Sequence, residues 1–203
     1  MKPSLAAAVL ALLCLGQSAG AADAPAAKAP EVRTAIFAGG CFWCIEADFE
    51  KLPGVVGAEA GYTAGQTVNP TYKQVSAGTT GHTEAVRLTY DPQKVSYQQL
   101  VDYFWRHIDP TVKNRQFCDV GSQYRSGIYW QNDAERKIAE SSRDVLLATG
   151  KLPRIETEIA QASTFYVAEE YHQDYYKKNP LRYAYYRQGC GRDARVQQIW
   201  GGG

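Results

Sequence analysis

Apolar positions along the chain fall into short runs of two kinds, continuous or alternating, divided by glycine, proline and polar loops. Residues 35–38 are continuously apolar and predict a buried strand. They pass through Gly39-Gly40 into Ile45, Phe49 and Leu52, which are spaced like one face of a helix. After Pro53-Gly54, Val55 and Val56, then Ala58, Ala60 and Tyr62, alternate as a strand should. Residues 64–83 are polar and glycine-containing, too long for an ordinary connection, and loops of that kind carry function. Residues 85–90 alternate again and end at Asp91-Pro92, and Ser96 then caps a helix whose apolar face uses Leu100, Val101, Phe104 and Trp105. A second irregular stretch, 108–126, precedes a strand at 127–130, a helix at 133–148 and a strand at 155–159. Residues 169–176 read as a short polar helix with an aromatic side that walls a pocket. Beyond Asn179-Pro180 the chain turns glycine-rich and irregular. The order β-α-β-β-α-β with extras predicts an α+β fold: a ferredoxin-like split β-α-β sandwich with an additional helix and an irregular glycine-rich C-terminal tail.

The N-terminus changes the picture of where this domain works. Residues 1–22 carry Lys2, an apolar stretch from Leu5 to Leu15 and the small residues Ala19-Gly20-Ala21-Ala22, which is the pattern of a secretory signal peptide and is too short to span a bilayer. Cys14 would leave with it, and Leu13 is not the small residue expected before a lipid-modified cysteine. Residues 23–31, rich in Ala and Pro, predict a flexible leader, and 32–203 a single domain. Export to a bacterial periplasm is the expectation. Lys2 is one of 22 basic residues; without it 21 remain against 21 acidic ones, a formal charge of zero. Nothing in that balance steers the protein to nucleic acid or to a membrane, and a monomer is expected.

Four cysteines survive in the mature chain: Cys41, Cys44, Cys118 and Cys190. Structural disulfides are the usual use of cysteine in small exported domains, but this domain is large enough to do without them. Cys118 and Cys190 stand alone in sequence, so a four-thiolate zinc site lacks its second close pair, and no metal or cofactor is expected. Cys41 follows Gly39-Gly40 at a helix start. A helix N-terminus stabilises an anion by up to about 2 kcal/mol, and about 1.36 kcal/mol moves a pKa by one unit, so Cys41 is predicted to ionise readily and to act as a nucleophile. Cys190 lies between Gly189 and Gly191, which predicts a mobile thiol able to resolve an oxidised partner. Glu84 sits at the entrance to a strand, where by itself a glutamate is a solvated charge.

Five strings together carry a resemblance: Gly40-Cys41-Phe42-Trp43, Gly61-Tyr62, Gly81-His82-Thr83-Glu84, the set Asp119, Gly121, Gln123, Tyr124, Arg125 and Ser126, and Glu170-Tyr171-His172-Gln173-Asp174-Tyr175. In this order, over 35–186, the sequence resembles the A-type peptide methionine sulfoxide reductases. The resemblance implies that Cys41 attacks the sulfoxide, that Phe42 and Trp43 hold the substrate methyl and that Glu84 is the acid beside the sulfoxide oxygen. It further implies that Tyr72 and Tyr124 hydrogen-bond that oxygen, with Asp119 in the same polar cluster. The implied activity is reduction of the S epimer of methionine sulfoxide, free or in proteins, with repair of oxidised exported proteins and regeneration by a thioredoxin-like dithiol reductant.

Chemistry agrees with this expectation. A sulfoxide sulfur becomes electrophilic when its oxygen is protonated, so the site needs a thiolate, a proton donor and an apolar socket. For Glu84 to donate near neutrality its pKa must be raised, as burial beside aromatic rings would do. His82 is the rival acid or base and is read as structural. The sequence departs from many relatives in having Cys44 where they have glycine and in the position of Cys190, so Cys190, Cys44 and Cys118 all stand as resolving candidates. Two other readings remain at this stage: a general dithiol-disulfide oxidoreductase using Cys41 and Cys44, and a non-enzymatic metal-binding module using the four thiols.

Overall fold

The computed structural model describes residues 31–201. The segments expected to be a signal peptide (1–22) and, for the most part, a leader (23–31), with Cys14, lie outside the described residues. The described residues open with β1 (Arg33–Gly39), one of the two central strands of a six-stranded sheet. Its apolar run is continuous because both faces are covered: Ala35 and Phe37 point into the main core, Ile36 and Ala38 into a smaller cluster with Ala85 and Tyr129. After β1 come α1 (Phe42–Phe49), β2 (Val55–Thr63), α2 (Tyr72–Ser76), β3 (Thr83–Tyr90) and α3 (Tyr97–Trp105). A small hairpin, β4 (Arg115–Gln116) with β5 (Asp119–Val120), precedes β6 (Ser126–Trp130), α4 (Asp133–Ala148), β7 (Glu158–Gln161) and β8 (Tyr166–Val167). Three helices close the chain: α5 (Tyr175–Lys178), α6 (Pro180–Gly189) and α7 (Arg192–Trp200).

The sheet runs β7-β6-β1-β3-β2-β8. Its four inner strands, β6-β1-β3-β2, are antiparallel neighbours in the order expected of a split β-α-β sandwich, and β7 joins β6 in parallel. Helices α1 and α3 cover the main core, where Phe37 meets Phe49 and Phe104, each with ring centroids 5.1 Å apart. Ser96 caps α3 by accepting from the Gln99 amide at 3.2 Å, and Asn132 caps α4 by accepting from the Glu135 amide at 3.0 Å. Among the described residues no helix is long and apolar enough to cross a membrane.

Three segments differ from the sequence reading. The strand expected at 155–159 begins only at Glu158, because the Glu156 amide is engaged by the Pro110 carbonyl (2.7 Å) outside the sheet. The polar helix expected at 169–176 is a 3-10 turn, Glu170–His172, then α5, broken by Asp174 in the left-handed region (φ 52°). The irregular tail is instead the helix pair α6 and α7. Gly191 (φ 65°) makes the sharp break between them rather than loosening the chain, and Cys190 is the C-cap of α6.

Candidate active site

Gly39 and Gly40 bring the end of β1 against α1. Gly40 has φ 83°, and a Cβ there would lie 2.5 Å from the Gln116 side chain, while one on Gly39 would lie 2.4 Å from Ile45. The turn therefore tolerates no side chain at either position, and it delivers Cys41 to the N-cap of α1. Glu84, the second residue of β3, faces this helix start from across the sheet, opposite Tyr62 of β2. Its carboxylate oxygen accepts from the Phe42 amide at 3.0 Å. The first helical amide thus belongs to Glu84, and the helix end serves this carboxyl as well as Cys41.

The two irregular stretches converge beside them. The Gln123 side chain donates to the Ser76 carbonyl (3.0 Å), and the Thr83 hydroxyl donates to the Gln123 carbonyl (3.1 Å). Those bonds tie α2, carrying Tyr72, to the turn carrying Tyr124 and both to the start of β3. The result is a cavity of about 190 Å³ lined by Cys41, Phe42, Trp43, Tyr72, Glu84, Asp119, Tyr124 and Tyr186. All seven sequence-proposed residues of reaction and substrate binding, Cys41, Glu84, Tyr72, Tyr124, Asp119, Phe42 and Trp43, meet there. His82 does not: its ring pairs with the Thr67 carbonyl (2.8 Å) and packs against Gly65, holding the 64–82 loop.

Burial sets the electrostatics. Glu84 is 2 % exposed, and loss of solvent pushes its carboxyl up to about 8 despite the Phe42 amide. Burial likewise raises Tyr72 to about 12 and Tyr124 higher still, so both phenols remain hydrogen-bond donors. Asp119 is also raised by burial, against the short bond it accepts from the Tyr186 hydroxyl (2.6 Å). For Cys41 the expected easy ionisation is overturned. The residue is 6 % exposed, and burial, followed by the Cys44 sulfur and Glu84, raises its pKa well above the ordinary thiol value. Cys44 is instead lowered to about 7, first by the hydrogen bond with Cys41 and then by the charges of Arg192 and Arg187. The two sulfurs thus titrate as a pair, linked by their hydrogen bond.

The sequence reading missed what holds this arrangement. Asp48 lies one helical turn beyond Cys44 and is buried; Arg187 of α6 pairs with it at 2.9 Å, and Arg192 of α7 approaches it at 3.6 Å. Arg192 is itself buried and donates to the Gly39 carbonyl (3.1 Å) and the His107 carbonyl (2.9 Å). The Trp43 indole donates to His172 (3.0 Å) and stacks on Tyr175 at 3.7 Å. Burial lowers the His172 pKa, which keeps its accepting nitrogen unprotonated. Glu169 takes the Tyr62 hydroxyl (2.7 Å) and the Tyr72 amide (2.8 Å). His172 lay inside a string already singled out; Tyr186, Arg187 and Arg192 gave no signal, because their segment read as irregular.

Cys118 and Cys190 are bonded to each other, with Cα atoms 4.8 Å apart, while Cys41 and Cys44 are free and buried. The premise of a mobile Cys190 is therefore replaced by a cysteine fixed at a helix end. The disulfide adjoins the site: the Cys118 sulfur lies 3.7 Å from the Asp119 carboxylate.

The family model described as peptide methionine sulfoxide reductase matches residues 33–202. A peptide methionine sulfoxide reductase (MsrA 2) of Caulobacter vibrioides is 52 % identical over 89 % of this chain and 92 % of its own. Another, of Bacillus licheniformis, is 51 % identical over 82 % and 93 %. Among solved structures, methionine sulfoxide reductase A of Corynebacterium diphtheriae superposes with a TM-score of 0.67 at 40 % identity, covering 75 % of this chain and 77 % of that one. Mxr1 of Saccharomyces cerevisiae in reduced form gives 0.68 at 35 % identity, covering 73 % and 86 %.

Proposed function

The chain belongs to the peptide methionine sulfoxide reductases, and from that premise we propose how its own residues divide the work. The enzyme reduces methionine sulfoxide to methionine. One observation carries the assignment of roles: a buried carboxyl that keeps its proton at neutral pH and a buried thiol line the same 190 Å³ cavity as two aromatic rings. The substrate methyl rests on Phe42 and Trp43, and its oxygen faces Glu84, Tyr72 and Tyr124. The Cys44 thiolate takes the Cys41 proton, Cys41 attacks the sulfoxide sulfur and Glu84 donates its proton to the oxygen. The oxygen leaves the methionine sulfur and remains on Cys41 as a sulfenic acid, and methionine departs.

Cys44 then attacks the Cys41 sulfur and expels water, forming a disulfide. Its support is proximity: the Cys44 amide already bonds to the Cys41 carbonyl at 3.1 Å, within one turn of α1. A thioredoxin-like dithiol returns the two electrons, with the more accessible Cys118–Cys190 couple as its point of entry. A general dithiol-disulfide exchanger would need its leading sulfur open to another protein, and Cys41 is closed in. Residues 1–22 support export to a periplasm, with mature protein beginning near Asp23, and a monomer remains the expectation to be tested. N-terminal sequencing of fractionated cells and sedimentation test those two points.

Cys41→Ser is expected to abolish sulfoxide reduction; activity near wild type would refute the mechanism. Cys44→Ser should release at most one methionine per enzyme and accumulate a sulfenic acid that a specific reagent traps. Cys190→Ser should release one methionine at the normal rate and stall with a protein reductant as a Cys41–Cys44 disulfide; if it instead accumulates the sulfenic acid while Cys44→Ser does not, the resolving role passes to Cys190.

A further inference from the structure

A second and larger depression, about 440 Å³, lies next to the catalytic cavity and shares Trp43 and Tyr186 with it; Tyr175, Leu181, Arg182 and Tyr185 complete its wall. Its floor is rigid, because the Trp43 ring lies flat on Tyr175, tilted by only 7°, and the Tyr186 ring meets Trp43 edge-on at 5.8 Å. Its outer wall is one face of α6, where Leu181 and Tyr185 stand a helical turn apart and are 86 % and 83 % exposed. No residue of α6 is buried. Large apolar side chains left together on an otherwise polar helix mark a contact surface. The catalytic cavity has room for little more than the methyl sulfoxide end of a side chain, and the wall it shares with the depression is formed by Trp43 and Tyr186, so a peptide backbone that leaves over that wall runs onto the depression. An extended chain advances about 3.4 Å per residue, so side chains within two positions of the methionine arrive at this depression.

We infer that the depression is a subsite for the polypeptide flanking the methionine sulfoxide, and that it takes a large apolar or aromatic side chain within two positions of it. The inference rests on the reductase reading and gives that site its substrate class: stretches of unfolded chain whose hydrophobic residues are accessible. Tyr and Trp surfaces gain contact area at small entropic cost. Arg182 at the rim disfavours a basic residue at the same place.

The test compares N-acetylmethionine sulfoxide amide, too short to reach α6, with hexapeptides carrying Phe, Ser or Lys beside the sulfoxide. Wild type should favour the Phe peptide over the Lys peptide by about tenfold in kcat/KM, mostly through KM, since one apolar contact of this size is worth about 10 to 200-fold. Leu181→Ser combined with Tyr185→Ser, both solvent-exposed positions, should erase that preference and leave the short substrate unchanged. Equal rates for all hexapeptides in wild type, or an undiminished preference in the double variant, overturns the subsite. A raised KM for the dithiol protein reductant with peptide preference intact would reassign the surface to the reductant, and loss of a dimer in sedimentation would reassign it to a second copy. Failure of the reductase reading shows separately, as no turnover of the short substrate by wild type.

Discussion

At the scale of single residues the site depends on two groups whose environments push them toward each other in pH. Glu84 must hold a proton and does so below about 8, whereas the thiol pair must have lost one and does so above about 7. Sulfoxide reduction, followed as single-turnover rate against pH, should therefore rise through about 7 and fall through about 8. Glu84→Gln should slow the chemical step by roughly 10² to 10⁴ and remove the alkaline limb while leaving the acid limb; an unchanged rate would move the proton donor elsewhere. The same carboxyl has a cost in stability. Below pH 4.5 folded and unfolded chains both carry its proton; from there to about 8 only the folded chain keeps it, so stability falls as pH rises through that window. Buried Glu46, raised to about 7 by loss of solvent, acts in the same direction. Denaturant unfolding at pH 8 should show Glu84→Gln more stable than wild type by on the order of 2 kcal/mol, with little difference at pH 4.

At the scale of elements, what was legible in the sequence was whatever local pattern decides. Apolar runs, alternation and glycine punctuation were enough for the four inner strands, and α4 spans the 133–148 read from the sequence. The motif strings, with the resemblance they carry for Tyr72, named the cavity's lining except Tyr186. Illegible were the features that long-range contact decides. Burial reverses the expected ionisation of Cys41, the Gln173 side chain occupies the Ala60 backbone at the β2 edge with bonds of 2.8 and 2.9 Å, and a glycine read as loosening turns out to be a corner between helices. The helices α6 and α7 matter most here, because they carry the two arginines beneath α1. Arg187→Gln removes one positive charge near Cys44 while Arg192 still faces Asp48, so the first thiol ionisation should rise from about 7 by about one unit, read from ultraviolet thiolate absorbance against pH. No shift would mean that the Cys41 hydrogen bond and Arg192 govern the pair without Arg187.

At the scale of the whole molecule, the C-terminal helices are joined to the body by contacts of different kinds. Arg192 reaches under the glycine turn, Trp200 donates to the Ile108 carbonyl at 3.1 Å, and the Cys118–Cys190 disulfide closes a separation of 72 residues. A cross-link of that span lowers the entropy of the unfolded chain by an amount worth about 4 kcal/mol in a chain-entropy model, of which strain and residual structure usually leave less. The buried ion pairs and the packing of Trp43 against Tyr175 and Tyr186 remain when the disulfide is cut, so the helices should stay docked but open more often. Cys118→Ser with Cys190→Ser is therefore expected to fold, to lose about 2 to 4 kcal/mol on denaturant unfolding and to show faster hydrogen exchange first in α6 and α7. Opening those helices withdraws Tyr186 from Asp119 and the arginines from α1 together, so the thiol pair and the cavity wall should loosen as one unit. Single-turnover sulfoxide reduction in the double variant should then fall in step with the exchange rate of α6 as denaturant is added below the unfolding midpoint. Exchange in α6 that quickens while that rate stays constant would separate the C-terminal helices from the chemistry.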